Sequence, residues 1–250
     1  MIKPSDQSYM GENVVYVGRD LEAMSFAQNY HRWILEVFSP YLGTRIVEVG
    51  AGRGSFSELI LSRSPESVSL VEPSADMHRL LVQRIKSLQT TVRIQIYNAL
   101  FRSVAEQIQS QQHPDSMIYV NVLEHIEDDV GELQAAWQTL AIGGRLFLFV
   151  PALKSLYGSF DRQVGHYRRY ERAELNDKCE RTGFRVLKSS YFDLAGIATW
   201  WLKYCILRSD KMEPGAVRLY DKIAVPPLRR IESLVAPPIG KNILLVAEKV

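Results

Sequence analysis

The feature that most constrains this chain is an apolar run, Ile46-Val47-Glu48-Val49, that passes without a spacer into Gly50-Ala51-Gly52-Arg53-Gly54 and then into helix-forming sequence from Ser55. A strand that turns into a helix through glycines carries its backbone close beneath a ligand, because no Cβ atoms stand in the way. Glu48, near the carboxyl end of that strand, puts negative charge where a cationic amine can sit. Glu72 ends a second β-rich run, Ser67 to Glu72, where an open α/β sheet presents a carboxylate to a ribose diol. The dinucleotide fingerprint needs a third glycine where this chain has Ser55, and no P-loop lysine follows. The loop therefore suits a nucleoside with a small charged tail better than a pyrophosphate.

The same rhythm continues along the chain. Strands are expected at Arg45 to Val49, Ser67 to Glu72, Thr91 to Tyr97, Ser116 to Asn121 and Arg145 to Val150. Helical stretches lie between them. One runs from a cap at Asp20 to about Phe38, one starts at Ser55, and one is capped by Ser74 with Met77, Leu80, Leu81, Ile85 and Leu88 on a face. Another spans about Asp128 to Leu140. A helix near Glu171 to Thr182 and strands at Phe184 to Tyr191 and Asn242 to Glu248 follow. Alternation of this kind predicts a mostly parallel sheet covered by helices. The expected organisation is one domain: a helical cap over 1–42, a cofactor-binding core over 43–150, and an acceptor-side half over 151–250. That half carries an apolar helical insertion at about 193–241, too small to stand alone.

Composition narrows the function classes. The 250 residues carry 30 basic and 28 acidic side chains, a formal net charge of +2. A dedicated nucleic-acid binder is usually more basic. The two cysteines, Cys179 and Cys205, form no CxxC, which disfavours a disulfide framework or a cysteine-rich zinc site and fits a reducing cytoplasm. The first residues lack the apolar run of a signal peptide. The longest apolar stretch, Leu194 to Leu207, contains Lys203 and is too short to span a bilayer.

On these residues the chain resembles the class I S-adenosylmethionine-dependent methyltransferases, especially the bacterial small-molecule enzymes called methyltransferase type 11 or 12. The likeness covers about Arg45 to Val150. Glu48 to Gly54 is similar to that family's first motif and Leu70-Val71-Glu72-Pro73 to its second. The resemblance implies a Rossmann-like sheet of seven strands with the last antiparallel, and S-adenosylmethionine as cofactor. It implies cofactor contacts from Glu48, Gly50, Gly52, Gly54, Glu72 and Pro73, with Glu72 on the ribose hydroxyls. Asn98 and Ala99 occupy the place of a usual Asp that meets the adenine amine; Asn98 is a departure from that pattern. Asn121-Val122-Leu123-Glu124-His125 is similar to the segment that flanks the methionine part of the cofactor.

Beyond the fifth strand, Asp161-Arg162-Gln163-Val164-Gly165-His166-Tyr167-Arg168-Arg169-Tyr170 is similar to segments near the acceptor pocket in the same family. His125 and His166 are the candidate general bases. Tyr167, Arg168 and Trp200 are candidate acceptor contacts; Arg168 and Arg169 equally suit a purely structural role in bolting this loop down. Trp200, Trp201, Tyr204 and Leu207 belong to a helix that caps an apolar pocket, forms a dimer face or rests on a membrane. No (D/N)PP(Y/F) or Pro-Cys sequence follows strand four, so DNA methylation is not expected, and no metal-binding carboxylate set is evident. The expected activity is methyl transfer to oxygen or nitrogen of a small, apolar or lipid-linked acceptor, by a monomer or homodimer. The rivals are an RNA methyltransferase and a non-catalytic interaction module.

Overall fold

In a computed structural model, which describes residues 27–209 and 212–250, seven strands form one sheet in the order β3-β2-β1-β4-β5-β7-β6. The strands are β1 (Arg45–Val49), β2 (Ser67–Val71), β3 (Arg93–Tyr97), β4 (Ser116–Val120), β5 (Arg145–Pro151), β6 (Phe184–Phe192) and β7 (Asn242–Lys249). β7 runs antiparallel to both of its neighbours, and the other pairings are parallel. This is the Rossmann-like sheet with an antiparallel last strand that the family resemblance implies.

Helices cover both faces, so the central strands have no solvent side and read as unbroken apolar runs. The period-2 geometry of strands divides them between two cores. In β5, Leu146, Leu148 and Val150 enter one, while Phe147 and Phe149 enter the other. The second core is closed by α1 (Gln28–Phe38), which buries Tyr30, Trp33, Ile34 and Phe38. The expected cap of this helix, Asp20, lies outside the described residues. The first amides of α1 instead meet a side chain from far along the chain: Asn29 and Tyr30 donate their backbone N–H groups to the Asp221 carboxylate at 3.1 and 2.9 Å. Orphan donors at a helix start need such a partner.

α2 (Ser55–Leu61), α3 (Ala75–Ser87) and α5 (Asp129–Thr139) stand where expected; Ser74 Oγ and Asp128 accept backbone N–H groups at their starts. Between α3 and α5, the sequence reading overlooked α4 (Phe101–Gln112), which buries Phe101, Ala105 and Ile108. After β5 come a short α6 (Ser159–Gln163) and α7 (Arg172–Arg181). The insertion between β6 and β7 holds α8 (Leu194–Trp200), a π-helical turn over Trp201–Ile206, α9 (Pro214–Ile223) and α10 (Val225–Leu234). Among the described residues, no helix is long and apolar enough to cross a membrane.

Candidate active site

The strand order reverses between β1 and β4, and the carboxyl ends of an open α/β sheet offer a crevice at such a switch. A cavity of about 890 Å³ lies there. One end is built by the glycine loop. Gly50 and Ala51 donate their N–H groups to the Val71 carbonyl at 2.8 and 3.1 Å, turning the loop over the end of β2. Gly50 has φ +71°, and a Cβ there would stand 2.4 Å from Val122 Cγ2. Only glycine lets these two walls meet.

Glu72 braces this loop. Its carboxylate accepts the Gly52 N–H and the Ser74 N–H, each at 2.8 Å. Glu48 lies deeper, 3% exposed, and accepts the Ser57 hydroxyl at 2.5 Å. Burial pushes its carboxyl up to about 8, against the Ser57 hydrogen bond and assisted by the nearby Glu72 charge. Among the described residues, no cationic side chain offsets this shift.

The other end is built by the turn after β4 and the loop after β5. Asn121 has φ +53°, and a 3₁₀ turn follows over Leu123–His125. The Tyr167 N–H donates to the Glu124 carbonyl at 2.8 Å and ties the two segments together. His166 Nδ1 lies 2.8 Å from Asp161 Oδ1, while its Nε2 faces Glu124 Oε1 at 3.9 Å. Burial would raise the Asp161 carboxyl, but the hydrogen bond with His166 and the Arg169 charge hold it below its ordinary range. Arg169, 2% exposed, donates to Asp161 at 2.9 Å and to the Ala152 carbonyl at 3.1 Å, with the Trp200 ring 4.6 Å from its guanidinium.

Glu124 is fully buried, and its carboxylate oxygens find no hydrogen-bond partner among the described residues. Burial pushes it up to about 7, opposed by His166. His125 packs edge-on against His166 with ring centroids 4.6 Å apart. Burial, with a smaller contribution from the neighbouring His166, lowers its pKa to about 3, so it is a neutral and weakly basic imidazole.

A family model for the methyltransferase domain matches residues 19–189, more than half of the chain. The chain belongs to this methyltransferase family. Solved structures agree at the level of the fold. A SAM-dependent methyltransferase from Archaeoglobus fulgidus superposes with TM-score 0.58 at 17% identity, covering 92% of this chain and 99% of that one. A cyclopropane synthase from Mycobacterium tuberculosis gives 0.57 at 12% identity, over 92% and 98%. Phosphoethanolamine N-methyltransferase 2 of Haemonchus contortus, in complex with S-adenosyl-L-methionine, gives 0.57 at 16%, over 92% of this chain and 56% of that one. Comparison with curated proteins finds no match.

Within the methyltransferase, Glu48, Gly50, Gly52, Glu72, Pro73, Asn121, Val122, His125, His166, Tyr167 and Trp200 all line the cavity. Four predicted residues do not. Gly54, at φ +81°, starts α2, and a Cβ there would be 2.8 Å from Leu81 Cδ1; it lets α2 and α3 pack. Asn98 turns its amide onto the backbone carbonyls of Glu72 and Pro73 at 2.9 and 3.1 Å, bracing the Glu72 strand end from outside with Ala99 beside it. Arg168 points away, bonding the carbonyls of Ile126 and Glu127 and pairing with Asp129 at 2.8 Å. Its neighbour Arg169 faces the cavity wall instead. Glu124 and Asp161 also face His166 here. Both lie inside the motifs Asn121 to Ile126 and Asp161 to Tyr170, but their approach to His166 crosses two loops, and no spacing in the sequence reveals it.

Proposed function

We propose that this methyltransferase uses S-adenosylmethionine to methylate a small-molecule acceptor, at oxygen in preference to nitrogen, with the cofactor at the glycine-loop end and the acceptor beside His166. The cavity residues suit the cofactor. Gly50 lets the loop close against Val122 at the cavity wall, Glu72 presents a carboxylate to a diol, and the buried carboxyl of Glu48 matches an ammonium group. When bound, the cofactor supplies an electrophilic methyl group on a sulfonium.

The observation that carries the acceptor assignment is the chain Asp161–His166–Glu124 at the opposite end. Asp161 holds the His166 ring and favours the proton on Nδ1, which leaves Nε2 as the acceptor of a proton. As the acceptor hydroxyl is methylated, His166 takes its proton at Nε2, and Asp161 stabilises the imidazolium formed. His125, with its depressed pKa, shapes the wall and takes no proton near neutrality. Trp200 and Tyr167 narrow the acceptor end, where holding the reacting atoms close and collinear lowers the barrier by about 7–11 kcal/mol in favourable cases.

The test is label transfer from methyl-labelled S-adenosylmethionine to panels of small hydroxyl and amine acceptors and to RNA, with wild type and His166→Gln. The reading expects transfer to small hydroxyl acceptors and a roughly 10²–10⁴-fold loss of kcat in the variant, with S-adenosylhomocysteine affinity unchanged. Transfer to RNA alone, or full activity in the variant, contradicts it.

A further inference from the structure

The insertion carries apolar side chains on two sides. Val217, Tyr220, Val225 and Leu228 of α9 and α10 face the core that α1 closes. On the outer side, Leu219 and Ile223 of α9 stand one helical turn apart and are 61% and 66% exposed. Ile231 and Leu234 of α10, with Val235 just past its end, are 61%, 85% and 69% exposed. The π-helical turn adds Trp201, Leu202 and Ile206, and Leu207 follows at 68%. Isolated exposed hydrophobics need no explanation, but so many along one insertion, on two helices that contact each other and on the turn before them, mark a contact surface.

The exposed charges of the same segment are mostly basic. Of its described acids, Asp193, Asp221 and Glu232 are turned inward or occupied, and Glu213 is exposed at the start of α9. Asp221 is buried against the start of α1, and Glu232 accepts the backbone N–H groups of Asp193 and Leu194. Arg208, Lys222 and Arg230 are exposed beside the apolar side chains. A second copy of this chain, related by a two-fold axis, would bring this cationic face against itself. An anionic bilayer meets both requirements, since its headgroups attract the basic side chains while its acyl boundary receives the leucines and isoleucines.

We propose that the outer face of α9, α10 and the preceding turn docks the enzyme peripherally on anionic lipid. Trp200, in the wall of the cavity, directly precedes this face in the chain, so the docked surface adjoins the acceptor end. This inference goes beyond the catalytic reading and does not depend on the acceptor's identity.

The test is co-sedimentation of the full chain with phosphatidylcholine vesicles, with and without about 30% phosphatidylglycerol, at low and high salt. Two double variants are compared, Ile223→Asp with Leu234→Asp and Lys222→Glu with Arg230→Glu. Unchanged S-adenosylhomocysteine affinity and thermal midpoint show that each variant is folded. Wild type is expected to bind anionic vesicles at least about tenfold more strongly than neutral ones, and each double variant to lose about tenfold or more. High salt is expected to weaken the binding. Equal binding to both vesicle types, or retained binding by the folded variants, overturns the proposal. So does a wild-type dimer in sedimentation that the apolar variant dissociates, because the face then belongs to a second copy.

Discussion

Asp161 Oδ1 stands 2.8 Å from His166 Nδ1 and 2.9 Å from Arg169 Nε, so one buried carboxylate both orients the candidate base and neutralises a buried guanidinium. Asp161→Asn therefore has two consequences. Arg169 is left with an uncompensated charge in the interior, which costs about 3–5 kcal/mol of stability by denaturant titration. The His166 tautomer is no longer favoured, and kcat falls in the folded fraction while cofactor affinity holds. A variant as stable as wild type would show that the Asp161–Arg169 pair does not bear on the fold.

Glu48 gives a pH prediction. Its folded-state pKa of about 8 exceeds the ordinary value of 4.5, so the folded protein binds the proton more tightly than the unfolded chain. The stability it contributes is full below pH 4.5 and is lost as pH rises toward about 8. Without cofactor, Glu48→Gln is expected to stabilise the protein at pH 8.5 by roughly 2–4 kcal/mol, with little effect at pH 5. The same substitution weakens S-adenosylmethionine binding, since the ammonium loses its counter-charge. In the wild type at pH 6.5, cofactor binding should release a proton, read as a dependence of calorimetric enthalpy on the buffer's ionisation enthalpy.

Gly50→Ala tests the close approach of the loop to the turn after β4. The new Cβ would stand 2.4 Å from Val122 Cγ2 and the residue would be held at φ +71°. A loss of about 1–3 kcal/mol in stability is expected, together with weaker cofactor binding as the loop shifts. Unchanged affinity would place the cofactor elsewhere.

Arg168→Ala separates a structural arginine from an acceptor-binding one. Arg168 holds the loop to the carbonyls of Ile126 and Glu127 and to Asp129. The expected result is a stability loss of about 1–3 kcal/mol with KM for the acceptor unchanged. A KM rise without loss of stability would return Arg168 to the acceptor site.

How much of this was legible in the sequence follows from how local each signal is. The glycine loop, Glu72 and the runs of β1, β2, β4 and β5 sit within short segments, and their positions and the sheet class could be read directly. α4 was overlooked because Phe101, Ala105 and Ile108 are spaced for a helix but diluted by Gln and Ser. The acceptor end is tertiary. Arg168 and Arg169 are adjacent and chemically alike, and the sequence offers no means of ranking them. Which one faces the cavity is fixed when Tyr170 pairs with Ala152 beside β5. Asn98 was read as a cofactor contact from its place after β3, but its amide is satisfied by the carbonyls of Glu72 and Pro73.

The division of the cavity into a cofactor end and an acceptor end is tested most directly by calorimetric titration of S-adenosylhomocysteine into wild type, Glu72→Ala and His166→Gln. The account predicts one saturable site in the wild type, at least about tenfold weaker binding in Glu72→Ala, and wild-type affinity in His166→Gln. No binding to folded wild-type protein, or equal losses in the two variants, would contradict it.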